Sequence, residues 1–229
     1  MPHVIAQPTL ELGVYGARRA AALSGVPFST VHDWARKGVV VPSVSIVRTK
    51  LWSYSDLLAL RAVSWLRKLA AFAADRPRRA TPMRDVRQAL AALREMVGRV
   101  WSRDDAGLLR CALLVDPDGT VLIRDDLESA TEVASRQVRP ASLNVFAEFH
   151  SPEGKLGPNL VVPREHLRII PGKLAGEPHI AGTRLDTRSV YGMTGRGLDL
   201  RQIMWHYPQV SESQLANAIA LEEQLADAA

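Results

Sequence analysis

Along this 229-residue chain the apolar positions change period several times, and each change marks an element. Ala17 to Leu23 is an Ala/Arg-rich run that ends at Ser24-Gly25-Val26-Pro27, and Ser29 to Lys37 follows with Val31 and Trp34 at helical spacing. The pattern predicts two short helices across a Gly-containing turn, the minimum arrangement that reads a major groove. After Gly38 the period drops to that of extended chain: Val39, Val40, Val41, Val44, Ile46 and Val47 lead into Arg48-Thr49-Lys50, which predicts a two-stranded wing with a cationic tip. Ser55 is then read as a helix N-cap with Asp56 in the first turn, and Leu57, Leu60, Ser64 and Trp65 continue the helix.

Farther along, Asp75 to Pro82 holds two prolines and no large apolar residue, so it reads as a linker. Thr81 is placed as a cap with Pro82 at the first position of a helix, and Val86, Leu90, Leu93 and Val97 form its stripe over Met83 to Val100. This helix offers a surface for dimerisation. Leu108 to Val115, Asp116-Pro117-Asp118-Gly119 and Thr120 to Arg124 spell a β-hairpin, with a further strand expected in Val138 to Phe149. Ser151 to Pro158 reads as a second loop or linker. Beyond it, Thr187, Asp199 and Ser211 are read as the N-caps of three helices. The expected fold is α+β and mostly helical. Its parts are a winged helix-turn-helix over 1–75, a β-containing region over 82–150 and a three-helix unit over 163–229.

Charge sharpens this division. Residues 1–100 carry 16 Lys and Arg against 6 Asp and Glu, whereas residues 101–150 carry 5 against 9 and residues 151–229 carry 8 against 9. The cationic surplus thus coincides with the two-helix unit, where it would supply salt-sensitive affinity for phosphates. A single Cys111 excludes a disulfide framework and a cysteine-built zinc site. No apolar stretch approaches the ~18 residues of a membrane span, and Met1 to Gly13 lacks a leader pattern. A cytoplasmic protein with no membrane partner is expected.

Candidate chemistry points to binding, not turnover. The six histidines are scattered, and neither a His-Glu-x-x-His pattern nor a nucleophile elbow is present. Asp104-Asp105 and Asp125-Asp126 could hold a nuclease metal, but without a His or Glu at ligand spacing they read better as turn residues. No catalytic residue, metal or cofactor is therefore expected. Ser29, Thr30, His32 and Asp33 lie where a reading helix meets base edges, while Arg36, Lys37, Arg48 and Lys50 suit phosphates. Trp34 fits better as a core plug than as a base-stacking group. Gly182-Thr183-Arg184 is either an anion site or a tight turn with Arg184 bridging helix carbonyls or a carboxylate. Arg184 and Arg188 are the candidate partner-binding residues.

Two resemblances add to this reading. Tyr15, Ser24-Gly25-Val26, Ser29-Thr30-Val31 through Trp34, Gly38 to Pro42 and Trp52 to Leu57 resemble the MerR-type winged helix-turn-helix family, although the wing has Lys50-Leu51-Trp52 in place of the usual Gly-Tyr-Arg tip. Gly176-x-Pro178-x-Ile180-x-Gly182-Thr183-Arg184-Leu185, Gly197-Leu198-Asp199 and Tyr207-Pro208-x-Val210-Ser211 resemble the domain-of-unknown-function 433 family, a group of predicted antitoxins. Together they imply a type II antitoxin: a homodimer that binds double-stranded operator DNA, represses its own operon and neutralises a PIN-like ribonuclease toxin. The other reading is a MerR-like transcriptional regulator with a ligand-sensing middle region.

Overall fold

The structure, a computed structural model, describes residues 13–68, 80–102, 112–117, 119–124 and 142–228. Residues 75–79 of the linker expected over Asp75 to Pro82, and the acidic pairs Asp104-Asp105 and Asp125-Asp126, lie outside these residues. The chain is α+β and mostly helical, with small antiparallel sheets.

Strand β1 (Tyr15–Gly16) leads into α1 (Ala17–Ser24), which stops where Gly25 takes φ 73° and returns its N–H to the Ala21 carbonyl. That left-handed cap is one glycine adopts without a Cβ penalty. Helix α2 (Phe28–Arg36) follows after three residues and buries only Val31. The expected two-stranded wing does not form. Strand β2 (Leu51–Trp52) pairs with β1 instead, and residues 37–50 form a loop joined to β2 by one bridge, Ser45 to Leu51. Pro42 has no N–H and the Ser43 N–H donates at 2.8 Å to the Asp56 carboxylate, so only Val44 and Ser45 remain to donate to the Leu51 carbonyl.

Helix α3 (Tyr54–Arg67) begins two residues earlier than expected. Ser53, not Ser55, is its N-cap, in a capping box with Asp56. Every side chain from Tyr54 to Leu66 is buried, so α3 is the central helix of the molecule. Helix α4 (Met83–Ser102) packs on it and covers a three-stranded sheet of β3 (Ala112–Val115), β4 (Val121–Arg124) and β5 (Leu143–Asn144). Thr81 turns its hydroxyl to the Pro117 carbonyl, tying the start of α4 to the hairpin turn.

The segment expected as a second linker is a hairpin of β6 (Phe149–His150) and β7 (Leu156–Gly157) pressed onto α1. A Cβ on Gly157 would lie 2.7 Å from the Gly25 nitrogen, so two glycines meet here backbone to backbone. Strands β8 (Leu167–Arg168) and β9 (His179–Ile180) then pair around a 3-10 turn at Leu174–Gly176. Three helices complete the chain: α5 (Thr187–Gly195), α6 (Leu200–His206) and α7 (Glu212–Ala228). Asp186 caps α5, because the expected cap, Thr187, is buried and bonded to Glu222 and the Pro178 carbonyl. Asp199 and Ser211 cap α6 and α7 as expected.

One hydrophobic core runs through all of these elements, from Tyr15 to Ala228. Its centre holds a cation. Arg61, fully buried on α3, donates to the carbonyls of Leu23, Ser24, Val145, Ala147 and Pro158 at 2.5–3.1 Å, and the Phe149 ring lies 5.9 Å from its guanidinium carbon. Burial pushes its pKa down to about 9, which leaves it charged at neutral pH. Two of the five acceptors are the last carbonyls of α1, where the helix dipole favours a cation. Arg61→Met should therefore lower unfolding free energy by at least about 3 kcal/mol, because it strands several buried carbonyls at once. Arg61→Lys should recover only part of this loss, since an ammonium has three donors against five. Urea melts check both, and an unchanged midpoint in Arg61→Met would contradict the assignment.

Candidate nucleic-acid interface and C-terminal surface

The α1–α2 pair owes its geometry to what lies behind it. Ala20, Ala21, Ala22 and Leu23 are buried because α1 is wedged between α2 on one side and β7, α3 and α7 on others. Small side chains permit this close approach on several faces. Behind α1, Arg19 bonds Glu222 through two nitrogens at 2.8 Å and Glu177 at 2.7 Å, with all three side chains largely out of solvent. The Tyr15 hydroxyl donates to the Gly176 carbonyl at 2.7 Å, and the Tyr54 hydroxyl to the Leu160 carbonyl at 2.8 Å. The two-helix unit is thus fixed to the C-terminal unit by buried, directional bonds.

On its outer side α2 presents Ser29, His32, Arg36 and Lys37 to solvent, with Thr30 and Asp33 half-buried. His32 is held edge-on between Phe28 and Trp52, with ring centres 4.5 and 6.2 Å away. Trp34 is half-buried against the core, in line with its reading as a plug. Asp33 bonds both Arg36 and Lys37, at 2.7 and 2.8 Å, and these two bonds hold its carboxyl below the ordinary carboxylate range. The helix end therefore offers less free positive charge than its sequence suggests. The same holds for the whole cationic surplus, because Arg19 and Arg61 are spent inside the protein.

Arg48 lies exposed on the 37–50 loop with φ 25°, beside half-buried Lys50. Ile46 and Val47 accompany them at 64% and 72% exposure, so the loop tip is apolar as well as cationic. Sequence reasoning passed over Arg18, which is exposed on α1 and stacks over the Phe28 ring at 5.3 Å. Its outward place on α1, stacked on the first residue of α2, adds it to the candidate interface. The signal was present in Arg18-Arg19, but only the structure separates the outward cation from the inward one.

In the C-terminal unit, Gly182 (φ 76°) and Thr183 close a tight turn through the Ile180 carbonyl. Arg184 projects from this turn without bridging a carbonyl or carboxylate among the described residues. Arg188 lies on α5, 63% exposed and 3.7 Å from Glu177, the same carboxylate that Arg19 holds. No group of three or more His, Cys, Asp or Glu among the described residues could hold a metal. Among them, too, no helix is long and apolar enough to cross a membrane.

Fold and surface together define a mostly helical α+β protein with a cationic two-helix unit fixed to a three-helix C-terminal unit. Residues 168–221 of the latter match the family described as "Protein of unknown function (DUF433)". Neither a curated protein nor a solved structure matches the chain.

His179 sits buried on β9 beneath this turn, its Nδ1 3.1 Å from the Glu177 carbonyl. Burial, helped by Lys173 and Arg168, pushes its pKa below the ordinary 6.5. The unfolded chain then binds the proton more readily, so stability is complete above pH ~6.5 and falls as pH drops from there toward the folded value. Urea midpoints across pH 7.5 to 5 should fall more steeply for the wild type than for His179→Gln; parallel profiles would contradict this.

Proposed function

We propose that this protein is a DNA-binding antitoxin that represses its own operon as a homodimer and neutralises a PIN-like ribonuclease encoded beside it. The observation that carries the DNA half is α2, which buries Val31 alone and turns a face of Ser29, His32, Arg36 and Lys37 to solvent. A helix after a tight turn, braced from behind and free in front, suits insertion into a major groove. Ser29, Thr30, His32 and Asp33 face base edges, while Arg18, Arg36, Lys37, Arg48 and Lys50 meet phosphates. A second copy related by two-fold symmetry would read an inverted repeat.

What supports the partner half is the similarity of residues 168–221 to DUF433, together with an exposed turn that presents Arg184 near Arg188 in sequence. Guanidinium groups that lack a full set of internal acceptors are suited to carboxylates of another protein.

Replacing Arg48 and Lys50 together by Gln should weaken binding to all DNA sequences and lower the slope of log affinity against log salt by about one to two units. Fluorescence anisotropy with the DNA upstream of the gene measures this, and an unchanged slope would remove the loop from the interface. Co-expression with the adjacent gene product tests the partner half. A stable complex and relief of toxicity are expected, and the absence of both would overturn it.

A further inference from the structure

Of the large apolar side chains described, Trp205 is the most exposed, at 79%. It stands on α6, whose Ile203 is buried and whose Leu200 and Met204 pack partly against the core. The opposite side of the helix carries Arg201, Gln202, Trp205 and His206, all exposed. Trp205 meets His206 edge-on with ring centres 4.8 Å apart, and the two line a shallow depression with Leu198 and Gln202. An indole standing in water beside an aliphatic side chain is the composition of a binding anchor.

Charge narrows what would cover it. From Thr187 to Val210 the chain carries Arg188, Arg196 and Arg201 but only one acidic residue, Asp199. The Asp199 carboxylate is engaged as the cap of α6, accepting from the Gln202 N–H at 2.8 Å. The stretch of chain that carries Trp205 is therefore net cationic, with Arg201 on the same exposed side of α6. A second copy docked through the same patch would bring two such net cationic faces together, which like charges oppose.

We infer that the α6 face is the docking surface for a different protein, one that receives Trp205 in an apolar pocket rimmed by carboxylates that meet Arg201 and Arg196. This deepens the partner half of the reading above and rests on it. It moves the centre of the contact from Arg184 and Arg188 to an aromatic anchor. Charged groups at the rim then set association rate and salt sensitivity, and the buried ring sets residence time.

The probe is the purified product of the adjacent gene, titrated by calorimetry against the full-length wild type, Trp205→Ser and Arg201→Glu. Trp205→Ser is expected to weaken binding at least about 30-fold, the loss typical of a buried aromatic anchor, with the melting temperature and operator binding unchanged. Arg201→Glu is expected to weaken binding and to reduce its dependence on salt. Equal affinity of wild type and Trp205→Ser would overturn the docking surface while leaving the partner reading intact. No binding by the wild type would overturn both. Loss of self-association, or of single-stranded oligonucleotide binding, in Trp205→Ser without loss of the partner would also overturn the inference, assigning the patch to a second copy or to nucleic acid.

Discussion

A single guanidinium sets the arrangement of this protein. Arg61 reaches from α3 to the end of α1, to the turn after β5 and to the residue after β7, and each contact is a carbonyl that has no other role in a helix or sheet. These segments lie far apart in sequence, and none supplies the regular ladder that would fix it to the others. The desolvation of the charge is offset by using all five N–H donors. Removing the cation would therefore release several segments together, which is why neighbouring features are built around it. Gly25 and Gly157 lack side chains where the guanidinium draws two backbones into contact.

The second tier of contacts extends this centre toward the C-terminus. Arg19, Glu177, Glu222 and Thr187 connect α1, the turn before β9, α7 and α5 through one buried polar cluster. Tyr15 adds a bond to a turn in which Leu174 and Ala175 take φ 51° and 53°, conformations that cost non-glycine residues energy and persist where the surroundings enforce them. The outer face of α2 and the outer face of α6 are thus carried by one continuous polar and apolar framework. The elements behind the two faces, α1 and α7, pack directly on each other.

Local pattern made much of this legible. The boundaries of α1, α2 and α4, the β3–β4 hairpin and the three C-terminal helices follow from helical period, caps and turn residues. What the pattern could not show is where non-local demands prevail. The valine-rich segment after Gly38 has the composition of a wing strand, but Asp56 takes the Ser43 N–H and β1 takes the partner edge of β2. Ser151 to Pro158 has the composition of a linker, but a Cβ on its Gly157 would lie 2.7 Å from the Ser24 carbonyl carbon at the end of α1. Arg61 was not among the residues singled out from sequence. The clue was that Leu57, Leu58, Leu60, Ala62, Val63 and Leu66 surround it on all sides of one helix, leaving no polar face for it to occupy. Trp205 escaped notice for the reverse reason, since an isolated aromatic near a helix end reads as core.

The burial of α1 on several sides bears on how such a protein could be taken apart or recombined. A two-helix reader is commonly pictured as a cassette, to be cut out and joined to another body. Here the rear wall of the cassette is made of Ala20, Ala21 and Ala22, too small to form a core without the hairpin and α7 leaning on them. An excised reader would expose backbone along with alanine, and a graft would need a recipient with a glycine opposite Gly25 and carboxylates opposite Arg19. The two-helix unit and the C-terminal unit therefore share one core, and only their outward faces can be changed independently of each other.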